Sequence, residues 1–309
     1  MAEMIYFDYV SADLLEEIIE GMIKNDTGSI PDQSMHEKIS EGIESSDEFF
    51  LFTHINSFFK KFGFTDVILF QKSGKISSQK VDQKSASAST SASTSASISA
   101  SAQKPVHLIF HKLFETSDHS IRYHNGIEIE ADTENELNAL IRKERSKADF
   151  LIVRSDDDKM IRAAANSGDV DIIIPISNHA QKPVAGKINH IIAKIAADKK
   201  TAFAFDIAPF LFIKGYRRSK LFSDVMEMIP VLRKYHVPIL LFSGAGNVFE
   251  IRGPYELEAF GRLFGMTQEE TVLAVSEFPQ KIISERQKKK SGKIVSQGVE
   301  IFSEESLEK

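Results

Sequence analysis

The chain has 309 residues, of which 42% are hydrophobic, and its formal net charge is −6 at pH 7. This length provides a sizeable core for one large domain or two ordinary ones. The acidic balance means that any RNA contact must come from a local basic patch. Because the sequence contains no cysteine, disulfides, thiolate catalysis and Cys-based zinc sites are excluded.

The first residues, MAEMIYFDYV, lack the basic region and the long apolar core of a signal peptide. No apolar run approaches the roughly 20 residues that cross a bilayer. Together with the absence of cysteine, these features predict a soluble cytoplasmic protein that makes no membrane contact.

Short apolar runs rich in Val, Ile and Phe predict seven buried parallel strands. They cover residues 4–10, 65–70, 126–131, 149–154, 170–176, 201–207 and 237–242. Residues 188–195 and 217–235 have helical periodicity, and Pro230 should kink the second of these helices.

Two further helices are predicted after the last strand. Pro254 suits the first turn of one helix, and Gly265 suits the position just past its end. Thr267 and Glu270 have the spacing of a capping box at the start of the next helix.

The alternation of strands and helices predicts an α/β fold with an all-parallel sheet. A TIM-like (β/α) barrel of about seven strands fits better than a doubly wound sheet, because the glycine-rich loop follows the last strand and not the first. Functional residues of such a barrel lie on the loops after the strands.

A low-complexity segment interrupts this pattern. Residues Ser85 to Ala102 are almost entirely Ser, Ala and Thr, a composition that cannot bury enough apolar surface to fold. We expect a disordered insertion at 72–104 within a single barrel domain at 1–283, and a flexible tail, basic and then acidic, at 284–309. A silk-like strand is the alternative for the Ser/Ala run.

A metal-dependent phosphoesterase would need several His, Asp and Glu side chains at strand ends. His107 and His111 would face opposite sides of a strand, His179 stands alone in a loop, and His190 fits a helix surface. Asp206 ends a strand, but the sequence identifies no partner for it. Gly-x-Ser-x-Gly, Walker and His-Glu-x-x-His motifs do not occur in the sequence, so no catalytic residue and no metal ligand is predicted.

The segment LLFSGAGNVFEIRGPYELEAF, residues 240–260, joins a strand to a helix through a loop with two glycines. Such a loop can cradle a phosphate, hold an RNA backbone or only turn the chain.

A basic cluster lies between the strand at 201–207 and the next helix. It contains Lys214, Arg217, Arg218 and Lys220, with Tyr216 among them. Arginine suits phosphate contact, and cations at a helix start are locally unfavourable, which points to an anionic ligand. Ordinary surface charge is the alternative.

The segment from Leu240 to Ile283 resembles the carboxyl-terminal part of archaeal ribonuclease P protein component 3. The matching positions are Ser243, Ala245, Arg252, Pro254, Glu256, Leu257, Phe264, Gly265, Met266, Pro279 and Ile282. Upstream, NHIIAKIAADKKTAFAFDIAPFL is similar to a second segment of that family. The resemblance extends over 149–283, is weaker over 1–71 and is absent from the Ser/Ala insertion.

The resemblance implies a barrel related to the polymerase-and-histidinol-phosphatase superfamily. It also implies a protein subunit of ribonuclease P, which supports the catalytic RNA in removing the 5′ leader of precursor tRNA. The implied partners are that RNA, protein component 2 and other ribonuclease P proteins, with precursor tRNA contacted indirectly. The chemistry and its Mg²⁺ would belong to the RNA, and the chain would bind no cofactor.

Related phosphoesterases carry His-x-His at the end of the first strand, where this chain has Phe7, Asp8, Tyr9 and Val10. We therefore expect the chain itself to be non-catalytic. A metal-dependent phosphoesterase and an inert scaffold are the alternatives. The residues expected to contact RNA or a partner protein are Lys214, Arg217, Arg218, Lys220, Ser243, Asn247 and Arg252.

Overall fold

The computed structural model of the chain describes residues 6–11, 14, 56–73, 121–177, 185–290, 294–296 and 299–300. Residues Ser85 to Ala102, His107, His111 and His179 lie outside these ranges, so the expectations for them stay predictions.

All seven predicted strands are confirmed, and they form one parallel sheet. The strands are β1 (Phe7–Ser11), β2 (Asp66–Ser73), β3 (Arg122–Ile129), β4 (Phe150–Arg154), β5 (Ile172–Ile174), β6 (Ala202–Asp206) and β7 (Ile239–Phe242). They pair in chain order from β1 to β7. A doubly wound sheet would reverse its strand order at a switch point, so this order is that of a singly wound barrel.

Helices connect and follow the strands. They are α1 (Glu134–Glu144), α2 (Asp158–Ser167), α3 (His190–Lys199), α4 (Ala208–Phe212), α5 (Gly215–Lys234), α6 (Pro254–Leu263), α7 (Gln268–Val275) and α8 (Glu277–Lys290). Residues 56–61 are also helical, and Val248–Glu250 form a 3₁₀ turn. A short antiparallel pair, β8 (Ile294–Ser296) and β9 (Val299–Glu300), follows α8.

Local capping chemistry sets several helix ends, as the sequence predicts. Pro254 is the first residue of α6, and Gly265, with φ +87°, follows that helix. Thr267 and Glu270 form the capping box of α7. α5 continues through Pro230.

The sheet curls until its first and last strands meet. The backbone N–H of Ser243, just after β7, donates to Asp8 Oδ1 of β1 at 2.7 Å, and the Ser243 hydroxyl donates to Asp8 Oδ2 at 2.6 Å. Both residues are fully buried. The predicted TIM-like barrel is thus confirmed, as a curled sheet of seven parallel strands whose two ends are joined by side-chain hydrogen bonds.

The hydrophobic core fills the space within and around this sheet. Every residue of β4, β5, β6 and β7 is buried, which explains why these strands read as continuous apolar runs. The expected domain boundary at 283/284 falls inside α8, and the division into domains stays a prediction. No helix in the described ranges has the length and apolar character to cross a membrane.

Candidate functional site

The carboxyl-terminal rim of the sheet holds a buried ion-pair network. Arg154, the last residue of β4, donates from Nε to Glu128 Oε2 of β3 at 3.0 Å and from Nη1 to Asp206 Oδ2 of β6 at 2.8 Å. All three residues are buried. Parallel strands end at the same edge of a sheet, so residues distant in sequence meet there.

The glycine-rich loop after β7 packs directly on this network. Gly244 has φ +63°, and a Cβ atom at this position would lie 2.5 Å from the Cβ of Asp206. Gly244 therefore allows the backbone to turn and to approach Asp206 closely. The sequence left three roles open for this loop, namely to cradle a phosphate, to hold an RNA backbone or to turn the chain. The contacts of Gly244 account for the third role.

The rest of the loop is held by its own side chains. The backbone N–H of Gly246 donates to Glu250 Oε2 at 2.7 Å. Asn247 accepts from the backbone N–H of Phe249 at 3.0 Å and donates from its amide to Glu250. Arg252 Nη1 donates to the carbonyls of Phe249 and Ile251 at 2.8 and 2.6 Å.

These contacts change the expectation for the predicted loop residues. Ser243 was expected to present its hydroxyl to RNA or to a partner, and this is corrected, because its side chain is buried and bonded to Asp8. Asn247 and Arg252 are half-buried and shape the loop.

The predicted basic cluster lies at the surface, at the start of α5. Lys214, Arg217 and Lys220 are exposed, and Arg218 is half-buried with its Nε donating to the carbonyl of Ile213 at 2.5 Å. Lys220 pairs with Asp224, and this hydrogen bond raises the pKa of Lys220.

Two aromatic side chains accompany these cations. Phe212, at the end of α4, is 56% exposed, and Tyr216, in the first turn of α5, is 82% exposed. The N-cap residue of α5, Lys214, makes no side-chain capping hydrogen bond. We call residues 212–220 the basic-aromatic surface.

Sequence reasoning found Asp206 but missed its partners. Arg154 closes an apolar strand, and Glu128 lies near the end of another. A charged residue at the end of a buried strand was the available signal, and it marks both Arg154 and Asp206. His190 is exposed at the start of α3, as expected for a helix-surface residue.

A second polar cluster lies at the opposite, amino-terminal edge of the sheet. Asp66 accepts from Arg122 Nε and Nη2 at 2.9 and 2.8 Å, and its Oδ1 lies 2.9 Å from Nε2 of His124. Burial alone would raise the pKa of Asp66, but the hydrogen bonds from His124 and Arg122 outweigh it, so the pKa is lowered. Residues at this edge of a barrel serve stability.

The fold and the two rims define a TIM-like α/β barrel protein with an exposed basic-aromatic surface. The carboxyl-terminal rim forms the barrel mouth, where Arg154 pairs with Glu128 and Asp206. The sequence profile of the family described as RNase P subunit p30 matches residues 53–291, well over half of the chain. The chain therefore belongs to the RNase P subunit p30 family.

Similar proteins carry a consistent name. Ribonuclease P protein component 3 of Methanococcoides burtonii is 38% identical over 176 residues, covering 57% of this chain and 70% of that protein. The protein of the same name from Methanosarcina mazei is 32% identical over 182 residues, covering 59% and 74%.

Among solved structures, a chain of the cryo-EM structure of archaeal ribonuclease P with mature tRNA has a TM-score of 0.59 to this one. The two are 20% identical, and the alignment covers 85% of this chain and 96% of that one. This likeness shows the shared fold.

Proposed function

We propose that this chain is a protein subunit of ribonuclease P that supports the catalytic RNA in removing the 5′ leader of precursor tRNA. The observation that carries the proposal is the family match over 53–291, together with relatives named ribonuclease P protein component 3. The fold shared with a chain of archaeal ribonuclease P supports the same function. A cytoplasmic location belongs to this proposal.

The chain itself is not catalytic in this proposal, and the RNA with its bound Mg²⁺ cleaves the phosphodiester. Support comes from the acids at the barrel mouth, because Glu128 and Asp206 pair with Arg154 and Asp8 accepts from Ser243. A metal-dependent phosphoesterase, the alternative function, would need acids that are available to a metal and a substrate.

The basic-aromatic surface is the proposed contact with RNA. Lys214, Arg217, Arg218 and Lys220 supply positive charge for phosphates, and the exposed rings of Phe212 and Tyr216 can stack on unpaired bases. The nearest protein partner in this proposal is component 2. If the surface instead binds component 2, the variants below will weaken the protein complex and leave RNA affinity unchanged.

Reconstitution tests the proposal. The cognate RNA is assayed for cleavage of precursor tRNA over a series of Mg²⁺ concentrations, with and without this chain and component 2. We expect no cleavage by the purified chain alone, and a lower Mg²⁺ requirement when both proteins are present with the RNA. Cleavage without RNA that survives repurification and nuclease controls would refute the proposal.

The double variant Arg217→Ala/Arg218→Ala tests the surface. Each phosphate that the variant no longer neutralises should reduce the log–log salt slope of RNA binding by about 0.7–0.9. The fold should be retained, because Arg217 is exposed and Arg218 is half-buried at the start of a helix. Filter binding at several salt concentrations measures the slope.

The matched control is Lys159→Ala/Arg162→Ala, which removes two exposed cations near the start of α2. It should leave the slope unchanged. A slope equal to wild type for the Arg217/Arg218 variant, with binding to component 2 also intact, would remove this surface from the proposal.

A further inference from the structure

The guanidinium of Arg154, a cation that belongs to the protein, occupies the barrel mouth. The side chain of Arg154 is 3% exposed, and those of Glu128 and Asp206 are 0% and 4% exposed. A buried charge requires a paired charge and hydrogen bonds. Because Arg154 is the last residue of β4, its guanidinium lies at the carboxyl-terminal edge, where parallel barrels place their ligand sites.

The contacts of the guanidinium are those of a central cation. Nε and Nη2 of Arg154 both lie 3.0 Å from Glu128 Oε2. Nη1 donates to Asp206 Oδ2 at 2.8 Å and to the carbonyl of Ile176 at 3.3 Å. Asp206 Oδ1 has no hydrogen-bond partner in the described part of the chain, so Asp206 depends on Arg154 for compensation.

We propose that Arg154 is the resident cation of this barrel mouth and takes the place that a metal ion would occupy between the acids. A metal centre of the related phosphoesterases does not fit these residues, since the guanidinium lies between Glu128 and Asp206 and Asp8 is engaged by Ser243. Within the described ranges, no three His, Cys, Asp or Glu side chains are grouped to hold a metal.

The proposal is independent of the function in ribonuclease P, because it concerns the ion pairs inside the barrel. It has a chemical consequence. Removal of the Arg154 side chain takes the cation from Asp206, while Glu128 keeps the more distant Lys72, whose Nζ lies 4.0 Å from Oε1. Two buried carboxylates then lie beside a space of guanidinium size, and such a site should accept a small cation from solution.

Thermal unfolding of full-length Arg154→Ala, with and without millimolar guanidinium or Mn²⁺, tests this consequence. Removing the partner of buried charges should lower Tm by roughly 6–20 °C. Either cation should then raise the Tm of this variant by about 5 °C. The control Arg233→Ala breaks a partly exposed arginine pair with Glu270. On addition of either cation, the Tm of the wild type and of this control should shift by less than about 1 °C.

A second variant covers the case in which Arg154→Ala does not fold. Arg154→Met/Glu128→Gln/Asp206→Asn removes the cation and both acids while nearly preserving their volumes. It should fold and should not respond to either cation, because replacing a whole buried ion network is far less costly than removing one member.

Three results would overturn the proposal. The first is a Tm of Arg154→Ala within about 2 °C of wild type, which would mean that the acids do not need the cation. The second is a triple variant that also fails to fold, since Arg154 would then act through packing. The third is stoichiometric Mn²⁺ binding by the wild type in equilibrium dialysis that Glu128→Gln abolishes.

Discussion

Gly244 and Gly246 lie two residues apart in one loop, yet their surroundings differ. Gly244 has φ +63° and faces Asp206, so an added Cβ would lie 2.5 Å from the Cβ of that residue. At Gly246 the nearest atom to an added Cβ is Glu250 Oε2, at 3.5 Å, which is an ordinary contact. The close approach of the loop backbone to Asp206 therefore requires glycine at position 244 but not at position 246.

Gly244→Ala should lower the free energy of unfolding by about 2–4 kcal/mol, because a left-handed backbone strains alanine and the methyl group displaces Asp206. Gly246→Ala should change it by less than about 1 kcal/mol. Gly215→Ala, with φ +61° and open space around the added Cβ, isolates the backbone strain. Urea unfolding midpoints measure all three, and equal decreases at 244 and 215 would contradict a role for the contact with Asp206.

Asp66 gives the molecule a pH-dependent contribution to stability. Its folded pKa is lowered by hydrogen bonds from His124 and Arg122, which outweigh the effect of burial. A carboxyl group with a lowered folded pKa stabilises the fold above its unfolded value, about 3.9, and this contribution disappears as the pH falls through the folded pKa.

Asp66→Asn should therefore lower the free energy of unfolding by about 1.5–3 kcal/mol at pH 7, where the variant lacks the charge-assisted hydrogen bonds. The difference from wild type should shrink as the pH falls below about 4. Urea unfolding at pH 7, 5 and 3 measures this difference. A difference that stays constant over the whole range would show that the ionised form of Asp66 is not what stabilises the fold.

At the scale of elements, Arg286 adds an ion pair to the apolar contacts that attach α8 to the barrel. Arg286 Nε lies 3.3 Å from Asp171 Oδ1, and Asp171 Oδ2 also accepts from Arg145 Nη1 at 2.6 Å. Burial lowers the pKa of Arg286. The segment predicted as a tail, 284–309, thus begins within α8, which continues to Lys290.

Arg286→Ala should weaken this docking by about 1 kcal/mol, because the half-buried Asp171 loses one cation but keeps its hydrogen bonds from Arg145 and from the backbone N–H of Leu151. Amide hydrogen exchange in residues 284–290 should accelerate while exchange in β4 and β6 stays slow. Lys289→Ala, an exposed cation of the same helix, is the control and should exchange like wild type. Equal exchange in the two variants would mean that Arg286 does not hold α8.

The sequence predicts elements where the information is local. Buried parallel strands appear as apolar runs, and helix caps depend on residues a few positions apart, so β4 to β7 and the start of α7 are predicted closely. β3 begins at Arg122, four residues before the predicted start. Its first residues are polar, and the pairing of Arg122 and His124 with Asp66 has no signal in hydrophobic periodicity.

The same limit applies to the candidate site. The exposed positions of Lys214, Arg217 and Lys220 follow from composition and from the start of a helix. The network of Arg154 with Glu128 and Asp206 depends on which strand ends are neighbours after the sheet curls. Which strand ends are neighbours is known only from the folded molecule, so the sequence identified Asp206 without its partners.

At the scale of the whole molecule, the bonds between Asp8 and Ser243 join the two ends of the sheet across 235 positions of the sequence. A contact this distant in sequence has a large entropic cost of loop closure, which the pairing of the intervening strands reduces. Asp8 accepts from the backbone N–H and from the hydroxyl of Ser243, so the two residues should act as one unit in the stability of the barrel.

A double-mutant cycle tests this unit. Asp8→Ala should cost about 2–4 kcal/mol, because it leaves the Ser243 N–H and hydroxyl buried without their acceptor, and Ser243→Ala about 1–2 kcal/mol. The double variant should be about 1–2 kcal/mol more stable than the sum predicts. Ser276→Ala removes a buried hydroxyl whose bond, to the carbonyl of Val272, is local, and its effect should simply add to that of Asp8→Ala. Additivity in both cycles would mean that the hydroxyl bond between Asp8 and Ser243 contributes nothing to closing the barrel.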